Sequence, residues 1–438
     1  MKRLIMDDLI SWKLHKGRKP LIIRGARQTG KSYIVNELGK EHFNGRIHTV
    51  NFEKHPEWHE IFNLNFDVKR ILSELEVVLN TKISTGKDLL FFDEIQSCPK
   101  AITSLRYFFE DMHEQHLVAA GSLLEFAFRD ISIPVGRVQF LNMYPMNFPE
   151  YLLAKGKEKL VEIILSPPVK LPTTIHQTLL NEVRYYFITG GMPESVKVYT
   201  ESDRLKDSID IQKDLTNTFR EDFSKYAPLA DKRCLNSVLT SVARNAGQQI
   251  KYTHLSDQFS VPTIKKAFDL LVKARIINKI RSASPAGLPL ETTSSEKKFK
   301  STLVDIGIMN QLCGMNFNSE FLRTDILNLY RGSLAEQFVG QELISAGNDP
   351  VYYWSRDAKS SSAEVDYLLS RNNKIFPVEI KSGASGKLKS MHLLLNTYPS
   401  CPNGYVFSEA PFGEISEQRL IFLPVYYAYK TGLSGQHF

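Results

Sequence analysis

The sequence predicts a multidomain α/β protein that opens on a parallel sheet carrying a phosphate-binding loop, and three observations support this. A short apolar run, Lys19 to Arg24, leads directly into Gly25-Ala-Arg-Gln-Thr-Gly30-Lys31-Ser32. Behind that loop Ile34, Val35 and Leu38 fall at helical spacing, so the loop joins a strand to a helix. A second apolar run, Leu89-Leu-Phe-Phe, closes on the acidic pair Asp93 and Glu94.

The first motif is G-x-x-x-x-G-K-S, and its context is the one its chemistry needs. Gly25 and Gly30 let the backbone curl until successive amides point at one concavity, to which the following helix adds its positive end. Phosphate oxygens suit such a site. Gly25, Ala26, Arg27, Gln28, Thr29, Gly30, Lys31 and Ser32 are the candidate binding residues, with the Lys31 ammonium directed at the β and γ phosphates and the Ser32 hydroxyl at Mg²⁺. The run ending in Asp93 and Glu94 resembles a Walker B strand. Asp93 would hold Mg²⁺ through water, and Glu94 would polarise the water that attacks the γ phosphate. An Asp-Glu pair at the end of a strand could also cap the next helix.

Composition excludes several other classes. At 438 residues the chain is too long for one ordinary core, and with 42% apolar and 24% charged residues it is not a disordered polymer. The longest apolar runs last a few residues, far short of the roughly 20 that cross a bilayer. The amino terminus lacks a signal-peptide apolar stretch, with Asp7 and Asp8 interrupting it. Cys98, Cys234, Cys313 and Cys401 make no paired spacing, so neither a zinc knuckle nor a disulfide framework is expected, and a cytoplasmic location is. Net charge is +7, and the segment Asp231 to Leu312 alone holds 13 Lys and Arg against 6 Asp and Glu, a surplus equal to that of the whole chain.

Further along, Leu117-Val-Ala-Ala120 predicts another strand, followed by Gly121-Ser122. Residues 149–230 alternate apolar and charged positions at helical spacing, with breaks at Ser166-Pro-Pro168 and Gly190-Gly-Met-Pro193; the second break suggests a hinge or a plain helix stop. In 231–312 a short helix from Thr253, a turn at Val261-Pro262, a helix over Thr263 to Ala274 and strands at Ile276 to Ile280 and Glu291 to Val304 suggest a winged helix. Lys265, Lys266, Lys273, Arg275, Lys279 and Arg281 would give it a basic face for DNA phosphates, or a solvated face on a protein-docking module.

In 320–438 a helix bearing Glu336 precedes strands at 351–354, 364–369 and 375–380. Asp366 with Glu379-Ile-Lys381 resembles the D-x(n)-E-x-K pattern of restriction-endonuclease-like folds. On that reading Glu336, Asp366 and Glu379 converge on Mg²⁺ while Lys381 orients water or stabilises the developing charge. An ordinary Glu-Lys surface face, or a nuclease fold that binds without cutting, would leave the same pattern.

Together these motifs resemble a family of prokaryotic AAA-superfamily ATP-binding proteins with a carboxy-terminal nuclease-like domain of unknown function. The resemblance rests on Gly25 to Ser32, Phe92-Asp-Glu-Ile-Gln96, Pro145-Met-Asn-Phe-Pro-Glu-Tyr151, Thr189-Gly-Gly-Met-Pro-Glu194, Arg331-Gly-Ser-Leu-Ala-Glu336, Ala363-Glu-Val-Asp-Tyr367 and Val378-Glu-Ile-Lys381. It implies an ATPase core over 1–148, a helical lid over 149–230, the winged helix over 231–312 and a restriction-endonuclease-like domain over 320–438. It implies ATP and Mg²⁺ as cofactors. It also places Ser122, which reads equally as a helix N-cap, where a polar side chain senses the γ phosphate. Arg137 or Arg129 would stabilise transition-state charge, in cis or from a neighbouring copy in a homo-oligomer. The alternative is a non-catalytic, ATP-dependent scaffold that binds protein partners.

Overall fold

The computed structural model describes residues 1–128, 136–223, 230–315, 332–358, 361–381 and 388–433. Contacts divide the chain into two compact units: one of residues 2–144 with 273–275, the other of residue 1, 145–272 and 276–438.

The first unit runs α1 (Ile5–Leu14), β1 (Leu21–Arg24), α2 (Lys31–His42), β2 (Ile47–Asn51), α3 (Val68–Leu79), β3 (Leu89–Asp93), α4 (Pro99–Asp111), β4 (His116–Gly121), α5 (Leu124–Ala127) and β5 (Gln139–Asn142). Its strands lie in the order β2-β3-β4-β1-β5, every neighbouring pair parallel. A parallel sheet is covered on both faces, so its central strands are apolar throughout rather than alternating. In β3 successive side chains take opposite faces. Leu90 and Phe92 pack with Ile71 and Leu75 of α3 and with Leu105 and Phe108 of α4. Leu89 and Phe91 pack with Leu9 and Trp12 of α1 and with Ile34 and Leu38 of α2. Because all five strands point the same way, the segments that follow β1, β3 and β4 open on one edge of the sheet. Asp67 starts α3 by accepting from the Lys69 and Arg70 amides, which satisfies two of the donors a helix start leaves unpaired.

The second unit begins with α6 (Phe148–Ala154), α7 (Glu158–Leu165), α8 (Thr173–Thr189), α9 (Pro193–Ser202), α10 (Leu205–Glu221), α11 (Lys232–Arg244) and α12 (Val261–Lys273). There follow β6 (Ile277–Ser282), β7 (Ser295–Leu303), α13 (Ile306–Cys313), α14 (Ser333–Ser345), β8 (Tyr352–Ala358), β9 (Ser361–Arg371) and β10 (Lys374–Ile380). The unit ends with α15 (Lys389–Thr397), β11 (Gly404–Ser408), β12 (Gly413–Ile415), β13 (Leu420–Pro424) and α16 (Ala428–Gly432). One eight-stranded sheet spans it, in the order β12-β13-β11-β10-β9-β8-β6-β7.

Between 231 and 312 the helix expected from Thr253 is a single 3-10 turn, Tyr252–His254, while the second helix and the hairpin are present, with Val261-Pro262 forming the first turn of α12 rather than a separate turn. Proline is accommodated there because a first-turn amide has no intrahelical partner to lose. The hairpin does not stand apart, however. Antiparallel β6 and β7 pair Ile277 with Leu303, and β6 also pairs in parallel with β8 through Arg281 to Tyr352 and Ser282 to Tyr353. The hairpin and the carboxy-terminal strands are thus one sheet, and the four-segment division is finer than the two units that contacts define.

Gly190 and Gly191 are needed for close approach. A Cβ on Gly191 would lie 2.1 Å from the Met146 carbonyl oxygen, and one on Gly190 2.5 Å from Asp305 Oδ1. The Gly191 amide donates to Asp305 Oδ2 at 2.6 Å, its carbonyl accepts from the Met146 amide at 2.6 Å, and the Tyr186 hydroxyl donates to Met146 O at 2.6 Å. Buried hydrogen bonds of this kind pin the turn, so the hinge reading gives way to a packing role. The Pro145 to Tyr151 motif has a similar part. Asn147 and Glu150 form a capping box at the start of α6, and the Phe148 amide donates to both oxygens of buried Glu342 at 3.0 and 3.1 Å. Among the described residues no helix is long and apolar enough to cross a membrane.

Candidate functional site

The phosphate loop lies between β1 and α2, at the sheet edge where the strands end. Gln28 and Gly30 have φ of 62° and 92°, which turns the chain left-handed ahead of α2. Gly25 cannot carry a side chain, because a Cβ there would sit 2.0 Å from the Met143 carbonyl oxygen beyond β5. The Thr29 hydroxyl donates to the Ala26 carbonyl at 3.0 Å. Arg3, ahead of α1, braces the loop from outside: its two terminal nitrogens donate to Thr29 O at 2.9 Å and Tyr144 O at 2.7 Å.

Lys31 folds back into the loop, donating to Ala26 O at 2.7 Å and Gly25 O at 3.2 Å. Only 7% of its surface is exposed. Burial pushes its ammonium down to about 8, against the pull of Glu94 and Asp93. The Ser32 hydroxyl donates to Asp93 Oδ1 at 2.8 Å, and the Asn51 amide donates to Asp93 Oδ2 at 3.0 Å. A hydroxyl and a carboxylate brought together offer hard oxygen ligands, which fit Mg²⁺; that ion keeps several waters and needs few protein groups. Glu94 follows with a φ of 50° and accepts from the Gln96 amide at 2.5 Å. Gln96 in turn packs so close to Gly121 that a Cβ there would meet its Oε1 at 2.3 Å. Buried Ser122 follows β4, which lies between β1, leading into the loop, and β3, ending in Asp93, and accepts from Arg27 Nε at 3.3 Å.

Arg137 is not part of this site in its own chain. It precedes β5, whose first residue, Gln139, is level with Leu21, the first residue of β1. It therefore stands at the edge of the sheet opposite the loop, a strand's length of about 13 Å away. There it is 46% exposed and bonds Glu110 through Nε at 2.8 Å. Arg129 lies outside the described residues. A different arginine enters the first unit. Arg275 bonds Glu125 Oε1 through Nε at 2.9 Å and Nη2 at 2.8 Å, with Arg24 at 3.8 Å from the same oxygen. The basic face assigned to 231–312 shrinks accordingly, since Arg281 pairs with Glu296 and Glu291 at 2.7 and 2.8 Å, and Lys279 pairs with Glu296 at 2.8 Å.

In the second unit the expected acidic residues do meet, but around a lysine. Lys300 of β7, with 1% of its side chain exposed, places its ammonium 2.8 Å from Glu336 Oε1 on α14, 2.6 Å from Glu364 Oε1 and 3.4 Å from Asp366 Oδ1 on β9. Asp366 Oδ2 accepts from the Ile380 amide at 2.8 Å. Glu379 is paired with Lys381 at 2.5 Å. Among the described residues its other, buried oxygen has no hydrogen-bond partner, and burial, then Asp366, pushes its carboxyl up to about 7. Burial also pushes Glu336 up, to about 8. For Lys300 burial opposes the charge, yet Glu336, Asp366 and Glu364 outweigh it and hold the ammonium well above the ordinary lysine range. Among the described residues no three His, Cys, Asp or Glu side chains are arranged to hold a metal ion. Of the expected ligand set, Glu336 and Asp366 bond Lys300 and Glu379 bonds Lys381.

Sequence reasoning missed Lys300 and Glu364. Glu364 was within reach, because a residue two before Asp366 shares its face of a strand. Lys300 had been counted among the charges of another segment.

A parallel sheet with a glycine-rich phosphate loop after one strand and an acidic pair after another defines a P-loop nucleotide-binding domain. Residues 17–152 match the model of a family described as AAA domain. Residues 180–319 and 331–426 match two families, each described as a domain of unknown function (DUF8612 and DUF4143). An uncharacterized protein of Methanocaldococcus jannaschii is 23% identical over 363 residues, covering 81% of this chain and 72% of its own. Among solved structures, the Walker-type ATPase of Pyrococcus abyssi aligns over 71% of this chain and 95% of its own, at 14% identity and a TM-score of 0.44. AMPPCP-bound DnaA from Aquifex aeolicus aligns over 62% and 88%, at 12% identity and a TM-score of 0.30. The RuvB Holliday junction branch migration motor of Thermotoga maritima aligns over 63% and 89%, at 14% identity and a TM-score of 0.30.

Proposed function

We propose that this chain binds ATP with Mg²⁺ at the loop from Gly25 to Ser32 and hydrolyses it, using the cycle as a conformational switch. The observation that carries this reading is the convergence of Lys31, Ser32, Asp93, Glu94 and Ser122 on one edge of a parallel sheet. The loop amides and the Lys31 ammonium bind the phosphates, the ammonium exchanging the carbonyls of Gly25 and Ala26 for stronger, anionic acceptors. Ser32 and Asp93 would hold Mg²⁺, which supplies charge neutralisation across the phosphates. Glu94 accepts a proton from, and orients, the attacking water, while Ser122, bonded by Arg27, reports on the γ phosphate. The test is turnover and nucleotide retention by Glu94→Gln. ATP should stay bound while hydrolysis falls about 100-fold or more. Undiminished turnover would remove Glu94 from its role.

For the output of the switch, DNA remains the first reading, through exposed Lys265 and Lys266 of α12 and Lys297 of β7. A second reading, a scaffold docking protein, is favoured by the pairing of Arg275, Lys279 and Arg281 within the chain, which neutralises three of the six basic positions that suggested DNA. Retention on duplex DNA separates the two. Binding that weakens steeply with added salt supports the first, and none at low salt supports the second.

A further inference from the structure

We propose that the Lys300 ammonium stands permanently where a divalent cation would sit in the carboxylate cluster of the second unit, making that cluster a metal-independent internal lock. The inference is separate from the reading of the nucleotide site.

Its basis is a matching of donors to acceptors. A lysine ammonium has three N–H donors and no acceptor. Three carboxylates face this one, Glu336 at 2.8 Å, Glu364 at 2.6 Å and Asp366 at 3.4 Å, so no donor is left for a phosphate oxygen or a water. The carboxylates are partly claimed as well. Asp366 spends its second oxygen on the Ile380 amide, and one oxygen of Glu379 is held by Lys381. The surroundings enclose the charge. The Tyr353 ring centroid lies 5.2 Å from Nζ, and the loop after α11 presses on Glu336 so closely that a Cβ at Gly247 would come within 2.5 Å of its Oε2.

A divalent ion introduced here would have to displace a cation that is covalently part of the chain and 1% exposed. The ammonium cannot replace such an ion in chemistry. It brings a single charge and does not lower the pKa of a bound water toward neutrality, as metal-assisted phosphodiester cleavage requires. It does link elements distant in sequence. Lys300 comes from the β6-β7 hairpin, and its partners come from α14 and β9, so the ion cluster fastens the hairpin to the carboxy-terminal sheet from inside. Breaking one partner of a buried ion set is costly because the others lose their compensation.

The test uses full-length, nucleotide-free, EDTA-treated protein titrated with Mn²⁺, reading free Mn²⁺ by electron paramagnetic resonance. Wild type and Asp366→Asn should bind Mn²⁺ identically. Lys300→Ala should bind one additional ion per chain and melt at a lower temperature than wild type, with Mn²⁺ raising its melting point; Lys300→Ala combined with Asp366→Asn should lose both the ion and the rescue. A wild-type Mn²⁺ site that disappears in Asp366→Asn or Glu336→Gln overturns the proposal. So does a folded Lys300→Ala protein that takes up no additional ion. Should Lys300→Ala fail to fold, the comparison of wild type with Asp366→Asn and Glu336→Gln still decides.

Discussion

Both units set a buried lysine among acidic residues, and the two lysines are used in opposite ways. Lys31 lies near Asp93 and Glu94 but bonds neither; its ammonium rests on two loop carbonyls, and burial lowers its affinity for a proton. Lys300 bonds its carboxylates directly and is held charged. The first arrangement is poised for an anion, because neutral carbonyls are weak competitors for an ammonium and the nearby acids are paired with Ser32, Asn51 and Gln96 instead. The second is already satisfied. A lysine beside acids is therefore no sign of a working site until its bonding is known.

Two results would break or sharpen this contrast. The larger effect is expected for Lys31→Ala. Titration with a fluorescent ATP analogue should show affinity weakened by roughly 100-fold or more, through loss of charge-assisted hydrogen bonds worth about 1.5–3 kcal/mol each. An unchanged affinity would place Lys31 in the same structural category as Lys300. The smaller effect is in pH. Lys31 is lowered to about 8, and a bound triphosphate favours its charged form, so binding takes up a proton wherever the free protein has lost it. Affinity measured at constant free Mg²⁺ should be insensitive to the Lys31 proton well below pH 8. It should fall by up to about tenfold per pH unit above that. A flat profile through that window would show that the buried ammonium keeps its proton.

How legible each region was in the sequence follows the same contrast. Gly25 to Ser32 are consecutive, and their strand and helix context could be recognised from a few neighbours. Asp93 and Glu94 were found because a fully buried strand reads as an unbroken apolar run. In the second unit the acids were found, but their partner was not, because Lys300 is 36 residues from Glu336 and 66 from Asp366 in sequence. Arg137 lies away from the loop of its own chain for a related reason. Proximity to motif residues along the chain says nothing about which end of a parallel strand a residue occupies. Arg275 was assigned to a DNA-facing set, yet it bonds Glu125, 150 residues away. Gly190 and Gly191 suggested a hinge, since glycine marks both freedom and close approach, and only the Met146 and Asp305 contacts distinguish the two.

The sequence by itself determined the phosphate loop and the strand that delivers Asp93, because a turn of consecutive backbone amides and an apolar run are properties of neighbouring residues. Tertiary structure alone decided what the carboxy-terminal acids hold. That depends on β7 joining the sheet of β9 and on the removal of water from Lys300, and neither strand pairing nor burial across such separations is written in local pattern.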